Sequence, residues 1–210
     1  MSDRTPSPMF PLGSVLLPTM LLPLHVFEDR YRRLVEDVLD GDQTFGVTMI
    51  ERGSEVGGDD VRAMVGCRAR ILEAEQQADG RWHLIAVGTD RIAVDEWLPD
   101  DPYPRAVVSH LPDVDGDAVD AIDDPRWLEL DSAFRTLLQL VASVMASPVP
   151  VDIELSDDPA VATFQMAAVA PLGALDRYRV LRADTADRRR EALLEAFEDA
   201  TVLVNDASSN

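Results

Sequence analysis

Between Phe45 and Val108 the sequence leaves no room for helices. Phe45, Val47 and Met49 alternate with Gly46 and Thr48. In Gly66-Cys67-Arg68-Ala69-Arg70-Ile71-Leu72 the same period of two puts Cys67, Ala69 and Ile71 inward and both arginines outward. Asp79-Gly80 is a hairpin signal between two such runs, and Trp82–Val87, Asp90–Val94 and Arg105–Val108 follow. Glu51–Asp60, with Gly53, Gly57 and Gly58, reads as a loop, and no proline occurs from Leu24 to Leu98. Strands this closely spaced pair with their neighbours, which predicts an antiparallel sheet curled into a sandwich or small barrel. Nine of the eleven glycines precede residue 112, so this lobe occupies the first half of the chain.

The segment before it has three parts. Phe10-Pro11-Leu12-Gly13 is an apolar run broken early, a short strand that turns. Pro18 and Pro23 bracket Thr19-Met20-Leu21-Leu22, which should be extended. A Pro-bracketed apolar loop is hard to bury fully. For Met20, Leu21 and Leu22, packing in the core and exposure as a binding patch therefore both stand. After Pro23 the period changes. Phe27, Tyr31, Leu34, Val35 and Val38 share one helical face, predicting a helix over Phe27–Asp40 that stops at Gly41. Glu28 and Arg32 are placed for an i,i+4 pair, and Glu28 and Arg30 for an ion pair anchoring helix to sheet.

Beyond residue 112 the character changes again. Six aspartates fall between Asp113 and Asp124, which reads as a solvated linker over 113–126. Asp113, Asp115 and Asp117 imitate the opening of a calcium loop, but Ala118 stands where that loop needs Gly and Asp124 where it needs Glu. A helical lobe over 127–205 follows, with a disordered tail at 206–210. Leu130, Phe134, Leu137, Leu138, Val141, Val144 and Met145 form one stripe, ended by Ser147-Pro148-Val149-Pro150. Asp158-Pro159 caps and opens a helix to about Val169, Pro171-Leu172-Gly173 breaks the chain, and a short helix runs to Arg182. A last helix starts near Asp184 and carries Leu193, Leu194, Phe197 and Val204. The fold class is α+β: a curled antiparallel sheet lobe with one helix, then a helical bundle.

The order F-P-L-G, a Pro-containing apolar run, then Leu22-Pro23-Leu24-His25-Val26-Phe27-Glu28-Asp29-Arg30-Tyr31-Arg32 resembles the start of the N-terminal substrate-binding domain of Lon ATP-dependent proteases. Val65-Gly66 with Ala69 and Ile71, Asp79-Gly80-Arg81, Gly88 with Arg91, and Tyr103 with Ala106 continue the match in order. It extends over roughly Met9 to Asp199, more loosely at the end, where Gly173 and Arg182 depart from the pattern. The resemblance implies a two-lobed arrangement with a PUA-like pseudo-barrel, and a stand-alone domain without the ATPase and protease modules. It further implies binding of exposed apolar segments of unfolded or tagged client proteins, with a separate ATP-dependent protease as the partner served or opposed. The contact would come from Met20, Leu21, Leu22 and a groove between the lobes, tuned by Tyr31 and Arg91.

Composition removes other classes. The chain carries a net charge of −20 and no lysine, all 19 of its basic residues being arginine. A field this negative repels nucleic acid and favours basic partners. Without lysine this chain holds no Walker A loop, Ser-Lys dyad or Schiff-base site. No nucleophile motif occurs, so no catalytic residue, cofactor or metal is expected. No apolar run reaches about 18 residues, so no membrane segment is expected and the compartment reads as cytoplasmic. The single cysteine, Cys67, reads as an inert core thiol, and His25 as a buried structural residue. His110 with Asp113 and Asp115 is a poor metal set. The alternative to client binding is a small-molecule sensor, which ligand-induced thermal stabilisation would reveal.

Overall fold

The computed structural model describes residues 6–53, 61–114, 124–144 and 152–208. The chain divides into two compact units, Met1–Pro112 and Asp113–Asn210.

The first unit contains β1 (Ser7–Leu12), β2 (Leu21–Val26), α1 (Asp29–Leu39), β3 (Thr44–Arg52), β4 (Val61–Gln76), β5 (Trp82–Leu98) and β6 (Arg105–His110). Strand order is β2-β5-β4-β3-β1-β6, with a further pairing of β5 to β6. That last pairing closes β5, β4, β3, β1 and β6 into a ring and leaves β2 as an added edge strand. The ladders are antiparallel except β1–β3, which runs parallel from Met9↔Gly46 to Leu12↔Met49. The antiparallel sheet thus holds one parallel ladder, because α1 lies between β2 and β3 and the chain returns beside β1 in the same direction.

Trp82–Val87 and Asp90–Val94 are one strand, not two. The first half of β5 pairs with β2 (Leu21↔Val87 to Val26↔Trp82) and the second half with β6 (Ile92↔His110 to Leu98↔Arg105). Register shifts in β4–β5 between Cys67 and Ala69 and between Ile71 and Glu73 bend the ribbon, as closure of a small barrel requires. Gly88 marks the exchange of partners. A Cβ there would collide with the Leu17 carbonyl, and the Gly88 amide donates to the Met20 carbonyl at 2.9 Å. The hairpin at Asp79-Gly80 forms as predicted, Gly80 taking φ +83° and Asp79 Oδ1 accepting from the Arg81 amide at 3.1 Å.

Met9, Ile92, Val94 and Ala106 fill the ring, with Trp97 and Val108 packed against them. Cys67 is buried, and desolvation pushes its thiol up to about 12, so it is an unreactive core residue. Helix α1 buries Tyr31, Leu34, Val35 and Val38, the Tyr31 ring stacking on Phe10 at 4.2 Å. The helix begins at Asp29, two residues later than predicted, and Phe27 stays outside it. The extended run does not end at Pro23: Leu21-Leu22-Pro23-Leu24-His25-Val26 is one strand, continuing through the proline. With Glu28 at the N-cap, Arg32 pairs with Asp29 at 3.0 Å and Glu28 with Arg30 at 3.0 Å.

The second unit contains α2 (Pro125–Val144), α3 (Pro159–Val169), α4 (Ala174–Arg182) and α5 (Ala186–Ser208). Trp127, Leu130, Phe134, Leu137, Leu138 and Val141 make the buried stripe of α2, and Phe134 meets Phe197 of α5 at 5.8 Å. Val144 lies off that stripe, exposed, while Met145 and Ser147–Pro150 lie outside the described residues. Asp158 caps α3 as predicted, accepting from the Ala160 amide at 2.8 Å with Pro159 at the first helical position. Helix α5 runs through Ser208, past the 205 at which sequence ends it. The residues expected as linker are partly built into this unit: the Val114 amide donates to the Asp184 carbonyl at 2.8 Å, and Asp124 Oδ1 accepts from the Arg126 amide at 2.8 Å. Residues 115–123 lie outside the described residues.

Candidate functional site

The features that could meet a partner gather around β2. The Gly88–Met20 hydrogen bond sets the ladder, so alternate residues Leu22, Leu24 and Val26 turn their backbone groups toward β5. Leu21, Pro23 and His25 turn theirs to the free edge. Pro23 sits where its missing N–H costs no ladder bond, and there it blunts the edge against strand addition.

The side chains alternate with the same period. Leu21 is 58% exposed and Phe27 55%, with Pro23 and His25 exposed between them, whereas Leu22 is 9% exposed and Val26 is buried. Of the three loop residues singled out by sequence, only Leu21 projects fully. Met20 is half-buried, and Leu22 belongs to the core. Tyr31 and Arg91 are each 4% exposed. Tyr31 is clamped between Phe10 and the Arg30 guanidinium, 4.5 Å from its ring. Arg91 donates to the Pro112 carbonyl at 3.1 Å. Both are buried and present little of themselves to a partner. His25 is also corrected: it is exposed, its ring 6.2 Å from Phe27 and 4.6 Å from His83.

Two hollows flank β2 and share Leu24 and His25. One, of about 120 Å³, is lined by Phe10, Leu12, Val26, Phe27 and Tyr31 among others. The other, of about 490 Å³, lies over the β2–β5–β4 face and is lined by Pro23, Ile85, His83, Glu73 and Glu75. Ile85, 38% exposed, pairs with Pro23 across the strands. Sequence reasoning missed Phe27 and Ile85. The signal was available: Leu21, Pro23, His25 and Phe27 keep a period of two straight through the proline. In the helical unit a third hollow of about 740 Å³ lies against Trp127 and Leu128. It carries Asp152, Glu154 and Asp157, and its single arginine, Arg135, is paired with Asp131 at 2.8 Å.

The chemistry this arrangement offers is contact. Among the described residues no three potential metal ligands converge, and no helix is long and apolar enough to cross a membrane.

A barrel with an added edge strand followed by a four-helix unit is the architecture of a known class of protein-recognition domain. The family model for the ATP-dependent protease La (LON) substrate-binding domain matches residues 7–199, and the chain belongs to that family. Lon protease 2 of Myxococcus xanthus is 28% identical over 91% of this chain and 22% of its own length. Lon protease of Dictyoglomus thermophilum is 32% identical over 68% of the chain and 17% of its own length. The chain thus spans about a fifth of the relatives it matches. Among solved structures, a Lon N-terminal domain protein from Xanthomonas campestris is 30% identical, with a TM-score of 0.68 over 91% of this chain and 98% of that one. The N-terminal domain of a Mycobacterium avium complex Lon protease shares the fold, with a TM-score of 0.62 over 93% of this chain and 99% of that one, at 16% identity.

Proposed function

We propose that this chain is a non-catalytic recognition protein of the cytoplasm that binds exposed apolar segments of unfolded or tagged proteins. The observation that carries the reading is the run of exposed Leu21 and Phe27 along β2, with Ile85 beside it and a hollow on either side. Exposed apolar side chains grouped this way mark binding surfaces. Membership of a substrate-binding family supports that reading. Because Pro23 blunts the free edge, a client is held by its side chains and not as an added strand. Glu73 and Glu75 on the larger hollow, under a net charge of −20, favour basic or neutral clients. The role is that of an adaptor or decoy for a separate ATP-dependent protease.

A small-molecule reading is less well supported. The hollow between β1 and β2 has only about 120 Å³, below the roughly 300–1,000 Å³ of ligand sites, and the hollows of about 490 and 740 Å³ that reach that range are open to solvent.

The test is fluorescence anisotropy with one labelled client, folded and chemically unfolded, at two salt concentrations. Selective binding of the unfolded form is expected, weakened about tenfold or more by Leu21→Ser with Phe27→Ser, since two exposed anchors of about 1 kcal/mol each are lost. Equal binding of both forms, or an unaffected double variant, would overturn the reading.

A further inference from the structure

Two histidines of the sheet unit stand directly opposite each other. His25 on β2 and His83 on β5 are register partners, with ring centroids 4.6 Å apart and planes tilted by 53°. Both are exposed, and neither imidazole makes a hydrogen bond or ion pair among the described residues. By the ladder alternation they form a non-hydrogen-bonded pair, the kind in which facing side chains approach most closely. On the far side of His83 its register partner is Glu75, so the row His25, His83, Glu75 crosses three strands on one face. Glu73 stands beside it on the same hollow, and neither carboxylate is spent on an arginine.

We propose that His25 and His83 form a two-imidazole site for a divalent transition-metal ion of the nickel, copper or zinc class. Imidazole is a preferred donor for these ions. Metal–nitrogen bonds of about 2.0–2.1 Å put two donor nitrogens about 3.3 Å apart in a tetrahedral site. Rotation of two exposed side chains whose centroids are 4.6 Å apart reaches that spacing. The ladder fixes the two backbones, so little conformational freedom is lost when both rings turn to one ion. Glu73 and Glu75 raise the local cation concentration without converging on the same point. Water fills the remaining positions. The buried Cys67 offers no competing thiolate.

The sequence carries its own control. The third histidine, His110, is exposed on β6 and has no histidine opposite it, pairing with Ile92. Ni²⁺ is titrated by calorimetry into the full chain carrying no histidine tag, in a non-coordinating buffer with excess Mg²⁺. One equivalent is expected to bind. Either His25→Gln or His83→Gln should weaken it at least tenfold, since even an outer-shell partner is worth about 10–100-fold, and His110→Gln should leave it unchanged. On the unmodified chain, Cu²⁺ should broaden the amide signals around residues 25 and 83 before any others, a readout independent of how the variants fold. Binding that survives in the His25→Gln, His83→Gln double variant, that Mg²⁺ displaces, or that broadens the acidic surface uniformly would overturn the site, as would no binding at all.

Discussion

The two units solve one problem by opposite means. Each must secure the chain where they meet in sequence, at Pro112 and Asp113, and each uses a buried arginine. In the sheet unit Arg91 donates to the neutral Pro112 carbonyl at 3.1 Å. In the helical unit Arg189, 0% exposed, reaches Asp113 Oδ1 at 2.8 Å and Thr163 Oγ1 at 3.0 Å, with its guanidinium 4.4 Å from the Phe164 ring. The surroundings explain the difference. A barrel pairs its backbone groups strand to strand and needs side chains only at its exits. Helices satisfy their own backbones, so their mutual arrangement rests on side chains, and one charged side chain joins α5, α3 and the chain entry.

The largest effect should therefore come from Arg189→Met. Removing one partner of a buried charged pair costs about 3–5 kcal/mol. Asp113 keeps 33% of its side chain exposed, which places the loss at the lower end of that range. For a unit of this size the melting temperature should fall by about 10–20 °C. Adding Asp113→Asn should recover part of the loss, because the negative charge that Arg189 balanced is gone. An Arg189→Met protein that melts like the parent would break the comparison, since helix packing alone would then suffice.

In the sheet unit the matching test is Gly88→Ala. The new Cβ meets backbone at Leu17, which cannot swing away as a side chain would. About 1–3 kcal/mol is expected, the cost of overpacking, read from urea denaturation. Arg91→Leu should cost about 1.5–3 kcal/mol, the range for hydrogen bonds from a charged group, the Pro112 carbonyl being one of its acceptors. If Arg91→Leu proves as damaging as Arg189→Met, the two anchors are equivalent and the contrast between the units fails.

How much of this was legible depends on where the information lies. Strand alternation at Phe45–Met49 and Gly66–Leu72 gave the sheet, and Asp158-Pro159 gave α3 to the residue, because each signal is local. The parallel β1–β3 pairing was not legible, since it depends on where the chain returns after α1. Pro23 reads as the end of the extended run, yet the strand continues through it, because on an edge the missing N–H faces away from β5. The site was half visible. Leu21 was in the expected patch. Tyr31 and Arg91 are buried, as is Tyr103, whose hydroxyl donates to Asp37 at 2.9 Å. Arg189 looked like one of three consecutive arginines, and nothing local marks which of them turns inward.

The smallest effect at neutral pH belongs to the titrating groups of the sheet unit, and it sharpens the contrast in alkali. Burial pushes the Cys67 thiol from 9.0 up to about 12. Burial, then the hydrogen bond to Asp37, raises the Tyr103 hydroxyl from 10.0 to about 12. A group whose folded pKa is raised binds its proton more tightly in the folded state. Its contribution is complete below the unfolded value and is lost as pH climbs through the folded one. Stability of the sheet unit should hold to about pH 9 and then decline toward pH 12, with the thiol acting first. Loss of amide protection in β4 and β5 between about pH 9 and pH 12 reads this decline directly. Cys67→Ala should cost about 1 kcal/mol at pH 7 through a small cavity. It should also remove the part of the decline that begins near pH 9, leaving the tyrosine part from about pH 10. A sheet unit that loses stability between pH 9 and 10 as steeply with alanine at position 67 as with cysteine would show that the thiol is not what opens the barrel in alkali.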